Sequence, residues 1–212
     1  NREFAYPHHE DLGVVQGCHL YVSDDEGASF KSRGHIDMGH LGGDASYDEH
    51  RFIEMRDGSL KCYIRTRAGI AEAVSRDRGY TWTPPEPCRT MISLDSRICA
   101  GRLRSGNLLF IANDISRNCR RERLTAYLSE DDGATWPYRM LLDERNQTSY
   151  PDFIQHPDGS IAAIYDHDRY EGGEILLARF SEEDIRAGKI VSPNSRMRIP
   201  VDRTRPVPAR QA

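Results

Sequence analysis

Ser23-Asp24-Asp25-Glu26-Gly27-Ala28-Ser29-Phe30 returns twice along the chain, as Ser75-Arg76-Asp77-Arg78-Gly79-Tyr80-Thr81-Trp82 and as Ser129-Glu130-Asp131-Asp132-Gly133-Ala134-Thr135-Trp136. The shared pattern is Ser-x-Asp-x-Gly-x-Ser/Thr-aromatic, and its copies start 52 and 54 residues apart. Each position has a physical reason. The Asp side chain can accept backbone N–H groups inside its own turn. Gly takes the positive φ of the reversal. The aromatic is expected to plug the turn onto the core. Self-similarity at such a period marks a repeat architecture.

A second pattern interleaves with the first: Asp57-Gly58-Ser59-Leu60, Ser105-Gly106-Asn107-Leu108 and Asp158-Gly159-Ser160-Ile161. Gly between two short apolar runs reads as a hairpin turn. The flanking runs read as strands: Arg51 to Met55, Leu60 to Thr66, Ile70 to Ser75, Leu108 to Ala112, Leu124 to Ser129, Ile161 to Tyr165 and Ile175 to Phe180. Each repeat is then about four strands with a folded turn, which is the make-up of a β-propeller blade. Only Glu182 to Gly188 reads as helix, with Ser181 as N-cap and Gly188 as stop.

Working outward, the 212 residues suffice for one or two domains with a real core. A charged fraction of 29% with a formal net charge of -4 is that of a soluble globular chain without a basic footprint for nucleic acid. No apolar run is long enough to span a bilayer as a helix. The opening Asn1-Arg2-Glu3-Phe4 reads as a processed or truncated start. Five cysteines at wide, irregular spacing form no CxxC pair and no disulfide framework, and Cys62, in an apolar run, reads as a buried thiol. His8, His9, His35 and His40 lack partners at metal spacing and read as surface or loop residues.

Three such turns in phase with hairpins resemble the Asp-box (BNR) repeats of the sialidase (neuraminidase) superfamily, from about Val14 to Ile199. The resemblance implies an all-β, six-bladed propeller. At about 50 residues a blade such a fold needs about 300 residues, so residues 1–212 are expected to form one sialidase-like propeller domain of about four blades, incomplete on the N-terminal side. The family needs no cofactor and no metal for its chemistry.

The resemblance also implies site residues. Glu49 precedes a strand and the Asp57-Gly58 turn, and Arg65 stands on the returning strand. That arrangement is similar to the family's catalytic Glu and one member of its arginine triad. Thr148-Ser149-Tyr150-Pro151-Asp152-Phe153, followed by Asp158-Gly159 and Ile164-Tyr165-Asp166, resembles the segment carrying the nucleophilic Tyr, which makes Tyr150 the nucleophile. In Asn118-Cys119-Arg120-Arg121-Glu122-Arg123, Arg121 fits a second triad position best, with Arg123 as second choice. Arg97, Asp48 and His50 complete the expected substrate-binding set. No segment matches the family's acid/base Asp or its first Arg, so the chain by itself is expected to lack both. Tyr47-Asp48-Glu49-His50, Asp143-Glu144-Arg145 and Ser149-Tyr150-Pro151-Asp152 are similar to bacterial sialidase-like proteins.

The residue types suit the chemistry. A sialic acid carries a carboxylate beside its anomeric carbon, and a planar guanidinium matches a carboxylate in a two-bond fork. A carboxylate nucleophile would be repelled by the sugar's own carboxylate, and sialidases are the glycosidases that use Tyr instead. A phenol, with an ordinary pKa of about 10, needs a base, and a nearby Glu can accept its proton. Plainer readings exist beside these: Tyr150 as a packed aromatic before Pro, Glu49 as a turn-stabilising acid, Arg65 as a solvated edge residue. The expectation is therefore a retaining exo-glycosidase acting on terminal sialic acid or a related acidic sugar. The alternatives are a non-catalytic glycan-binding propeller and a glycan-active enzyme for a different sugar. The partner expected is a glycan, with no nucleic acid and no membrane.

Overall fold

The computed structural model describes residues 17–39, 41, 49–116 and 120–204. Four antiparallel sheets make up these residues, each a meander in chain order. The first pairs β1 (Gly17–Val22) with β2 (Lys31–Asp37). The second holds β3 (His50–Glu54), β4 (Leu60–Thr66), β5 (Gly69–Ser75) and β6 (Glu86–Pro87). The third holds β7 (Cys99–Arg102), β8 (Leu108–Asn113), β9 (Glu122–Ser129) and β10 (Tyr138–Asn146). The fourth holds β11 (Thr148–Gln155), β12 (Ile161–His167), β13 (Glu174–Phe180) and β14 (Arg196–Arg203). One short helix, α1 (Glu182–Ala187), interrupts the last connection.

The glycine hairpins join the first and second strands of each four-stranded sheet. Gly58, Gly106 and Gly159 take φ of 80°, 88° and 85°, and each N–H closes its turn on the carbonyl three residues back, at 3.0, 2.9 and 3.0 Å. The eight-residue turns join β1 to β2, β5 to β6 and β9 to β10. In all three the Asp does what its position requires. Asp25 accepts from Ser29 N, Asp77 from Thr81 N and Asp131 from Thr135 N, at 2.8, 2.9 and 2.8 Å. These bonds, with those from the Ser and Thr hydroxyls, hold each carboxylate down at about 2.

The aromatic of the turn behaves as expected in two copies. Trp82 packs on the cluster of Cys18, Ile36, Cys62 and Ile64. Trp136 packs on Tyr63, Leu108 and Phe110, meeting the Phe110 ring edge-on at 5.5 Å. Phe30 departs from the expectation and is 65% exposed. Among the described residues its sheet has two strands, and a ribbon that narrow gives the ring little surface to fold over.

The cores lie between neighbouring sheets. One joins the second sheet to the third through Tyr63, Leu108 and Phe110, and another joins the third to the fourth through Leu109, Leu128, Ile161 and Phe180. Cys62 is fully buried. The first strands run beside one another, β3 against β7 and β7 against β11. The helix carries the expected cap: Ser181 and Asp184 form a reciprocal capping box, and Gly188 ends it in the left-handed conformation at φ 66°. No helix among the described residues is long and apolar enough to cross a membrane.

Candidate active site

Tyr150 sits at an irregularity. Ser149 pairs with Asp166 and Asp152 with Ile164, so β11 carries one residue more than β12 between these pairs. That is a β-bulge. Pro151 has no N–H to give the ladder, which suits it to such a place. Tyr150 takes φ 54°, an uncommon backbone state for a bulky residue. The bulge turns its side chain out of the regular alternation.

The phenol meets Arg65. Arg65 stands near the end of β4 and is 4% exposed, so the reading as a solvated edge residue fails. Its Nη1 donates to Glu49 Oε2 at 2.5 Å and to Tyr150 Oη at 3.4 Å, and its Nε donates to Asp95 Oδ1 at 2.8 Å. Burial disfavours a charged guanidinium, but the bonds to Glu49, Asp95 and Tyr150 outweigh this and raise its pKa above the ordinary arginine value. Glu49 and Tyr150, expected to bond each other, instead share one donor. Among the described residues no direct Tyr150–Glu49 hydrogen bond is present, and Glu49 Oε1 stays outside the Arg65 contact.

Three more guanidiniums surround the ring. Arg97 and Arg121 lie 5.8 and 5.9 Å from its centroid, and Arg169 lies 4.1 Å away. All are within cation–π range. Their pairing differs. Arg97 donates to Asp152 at 3.4 Å. Arg169 donates to Asp166. Arg121 donates to the Asp95 carbonyl, at 3.5 Å, besides meeting the ring. Among the described residues it is the one of these arginines with no carboxylate partner.

The structure thus brings together Tyr150, Glu49, Arg65, Arg97 and Arg121 from three sheets. Arg123, the second choice, faces elsewhere: it takes φ 55° and pairs with Asp114. His50 stands edge-on to Phe52 at 4.9 Å. Its neighbour Arg51 reaches the fourth sheet, donating to Asp152 at 2.6 Å. Asp48 lies outside the described residues. Asp95, Asp152 and Arg169 were not foreseen as site members. Asp166 and Arg169, three residues apart with opposite charges, were the available signal for the last of them.

A separate cleft of about 600 Å³, lined by Arg104, Gln155, Asp158, Arg179 and Asn194 among others, shares no residue with this cluster.

Comparison with known proteins gives a consistent picture. Residues 1–163 match the family described as BNR repeat-like domain. An anhydrosialidase of Macrobdella decora is 28% identical over 173 residues, which are 73% of this chain and 22% of that protein. The intramolecular trans-sialidase from Ruminococcus gnavus superposes with a TM-score of 0.64 at 22% identity, over 82% of this chain and 39% of that one. The α-L-arabinanase of Penicillium chrysogenum superposes with a TM-score of 0.55 at 14% identity, over 80% of this chain and 56% of that one. The chain therefore spans less than two thirds of each of these proteins.

Proposed function

Because the chain belongs to the BNR repeat-like domain family of the sialidase superfamily, we propose that it forms about four blades of a six-bladed sialidase-type propeller and carries the nucleophile half of a retaining exo-glycosidase site. The substrate is a glycan ending in sialic acid or a related acidic sugar. The observation that carries this reading is the meeting of Tyr150 Oη and Glu49 Oε2 at one nitrogen of a buried arginine.

Tyr150 Oη attacks the anomeric carbon while the glycosidic C–O bond breaks, and the leaving oxygen takes a proton from an acid supplied outside residues 1–212. Glu49 accepts the phenolic proton through Oε1, the oxygen that Arg65 leaves open. Water then cleaves the tyrosyl glycoside with retention. Arg121 binds the substrate carboxylate. Arg65, held by Glu49 and Asp95, orients the phenol and the base.

The test is turnover of a chromogenic α-sialoside by the full-length protein, beside Tyr150→Phe and Glu49→Gln. Tyr150→Phe is expected to abolish turnover, and Glu49→Gln to lower kcat about a hundredfold or more. Unchanged turnover in Tyr150→Phe refutes the assignment. Binding of sialoside without turnover by the unaltered protein refutes catalysis and establishes the glycan-binding alternative. Turnover of a different acidic glycoside instead reassigns the sugar.

A further inference from the structure

Arg169 lies closer to the Tyr150 ring than any other cation near it, yet its charge is already matched. Its Nη2 bonds Asp166 and approaches Ser149 Oγ at 3.4 Å. Ser149 Oγ in turn donates to Asp166 Oδ1 at 2.7 Å. The Asp166 side chain is only 12% exposed. One carboxylate therefore grips both the residue before Tyr150 and the guanidinium lying on its ring. Between them stands a tyrosine whose left-handed backbone costs about 1–3 kcal/mol and persists only where the surroundings over-determine it.

We propose that Asp166, Ser149 and Arg169 form a bracket that holds the Tyr150 ring in its bulged conformation, with Arg169 as a positioning residue. The inference rests on the reading of Tyr150 as the reacting group. A cation committed to Asp166 is poorly placed to take a substrate carboxylate, a task that falls to Arg121. The bracket acts on the orientation of the nucleophile, so its loss lowers kcat and leaves substrate affinity in place. The loop after β12 supplies the third guanidinium against the ring, and the pairing of Ser149 with Asp166 keeps the bracket in register with the bulge.

The experiment uses the full-length protein with ¹³C-labelled tyrosine, Tyr150 being assigned by its loss in Tyr150→Phe. Ring-flip rates come from the line shapes of the Tyr150 signals in the unaltered protein, in Arg169→Ala and in Asp166→Asn, which leaves Arg169 in place but unanchored. Both variants are expected to flip about tenfold faster, the factor a contact of this strength adds to a rotation barrier. In the glycoside assay Arg169→Ala is expected to lower kcat about tenfold with KM within about twofold. An unchanged flip rate in Arg169→Ala overturns the proposal, as does a rise in KM with kcat kept, which would make Arg169 a substrate ligand. A faster ring in a protein that turns over no glycoside leaves the bracket standing and refutes the catalytic reading instead. The two claims are thereby separated.

Discussion

Replacing Arg65 by Met tests the centre of this arrangement directly. Methionine fills most of the buried stem, so little cavity forms and the loss is chiefly electrostatic. Two charge-assisted bonds go, to Glu49 at 2.5 Å and to Asp95 at 2.8 Å. Each is worth about 1.5–3 kcal/mol when well buried. The arginine side chain is 5% exposed but both carboxylates are 33% exposed, so water recovers part of what is lost and the low end applies. The expected destabilisation is about 3 kcal/mol. For a chain of this size each kcal/mol lowers Tm by about 2–4 °C, which predicts a fall of about 6–12 °C by circular dichroism. Much of the penalty is the stranded charge on Glu49. Arg65→Met combined with Glu49→Gln is therefore expected to be more stable than the sum of the two single changes, by about 1 kcal/mol. Arg65→Lys keeps a charge but not the fork, and is expected to lose about half as much. A Tm within about 2 °C of the unaltered protein for Arg65→Met, or strict additivity in the double variant, would refute the claim that this arginine is a buried hub.

Two further outcomes follow from buried groups. Asp184 is fully buried. Burial pushes its carboxyl up, but donors from Ser195, Val191, Ser192 and Ser181 outweigh this and hold it at about 2. A folded pKa below the unfolded one stabilises above the unfolded value and is lost as pH falls through the folded one. In urea titrations Asp184→Asn is thus expected to cost about 2 kcal/mol at neutral pH, a difference that narrows as pH drops from about 4 to about 2. A gap independent of pH would contradict it. Cys99 is 2% exposed. Burial pushes its thiol up to about 12, the Arg51 cation opposing and the Asp152 carboxylate adding. Iodoacetamide at about pH 8 is expected to leave Cys99 unmodified in the native protein and to label it in urea, read by peptide mass spectrometry. Native labelling would show that this core opens.

Much of the strand layout was legible because its signals are local. The run Leu60 to Thr66 is β4 to the residue, and the helix begins and ends where Ser181 and Gly188 demand. Other strands were not legible. β10 and β14 alternate weakly and carry several charges, Asp143, Glu144 and Arg145 in one, Arg196, Arg198 and Arg203 in the other. Only their neighbours reveal why those charges are tolerated: Asp143 is fully buried against Arg145 and the Tyr165 hydroxyl.

The candidate site divides in the same way. Tyr150 before Pro151, Glu49 before a strand and Arg65 after a turn are features of short stretches, and they could be picked out one stretch at a time. The preference for Arg121 over Arg123 came from the same kind of stretch, whereas the pairing of Arg51 with Asp152 and the seating of Arg169 on the phenol could not be read that way. Turns are governed by a few dihedral angles and hydrogen bonds between residues a few positions apart, and meander strands pair with their neighbours in the chain, which a sequence states directly. Which guanidinium reaches which phenol or carboxylate across 85 or 101 residues depends on how three twisted sheets pack against one another, and that angle is set by the whole core at once.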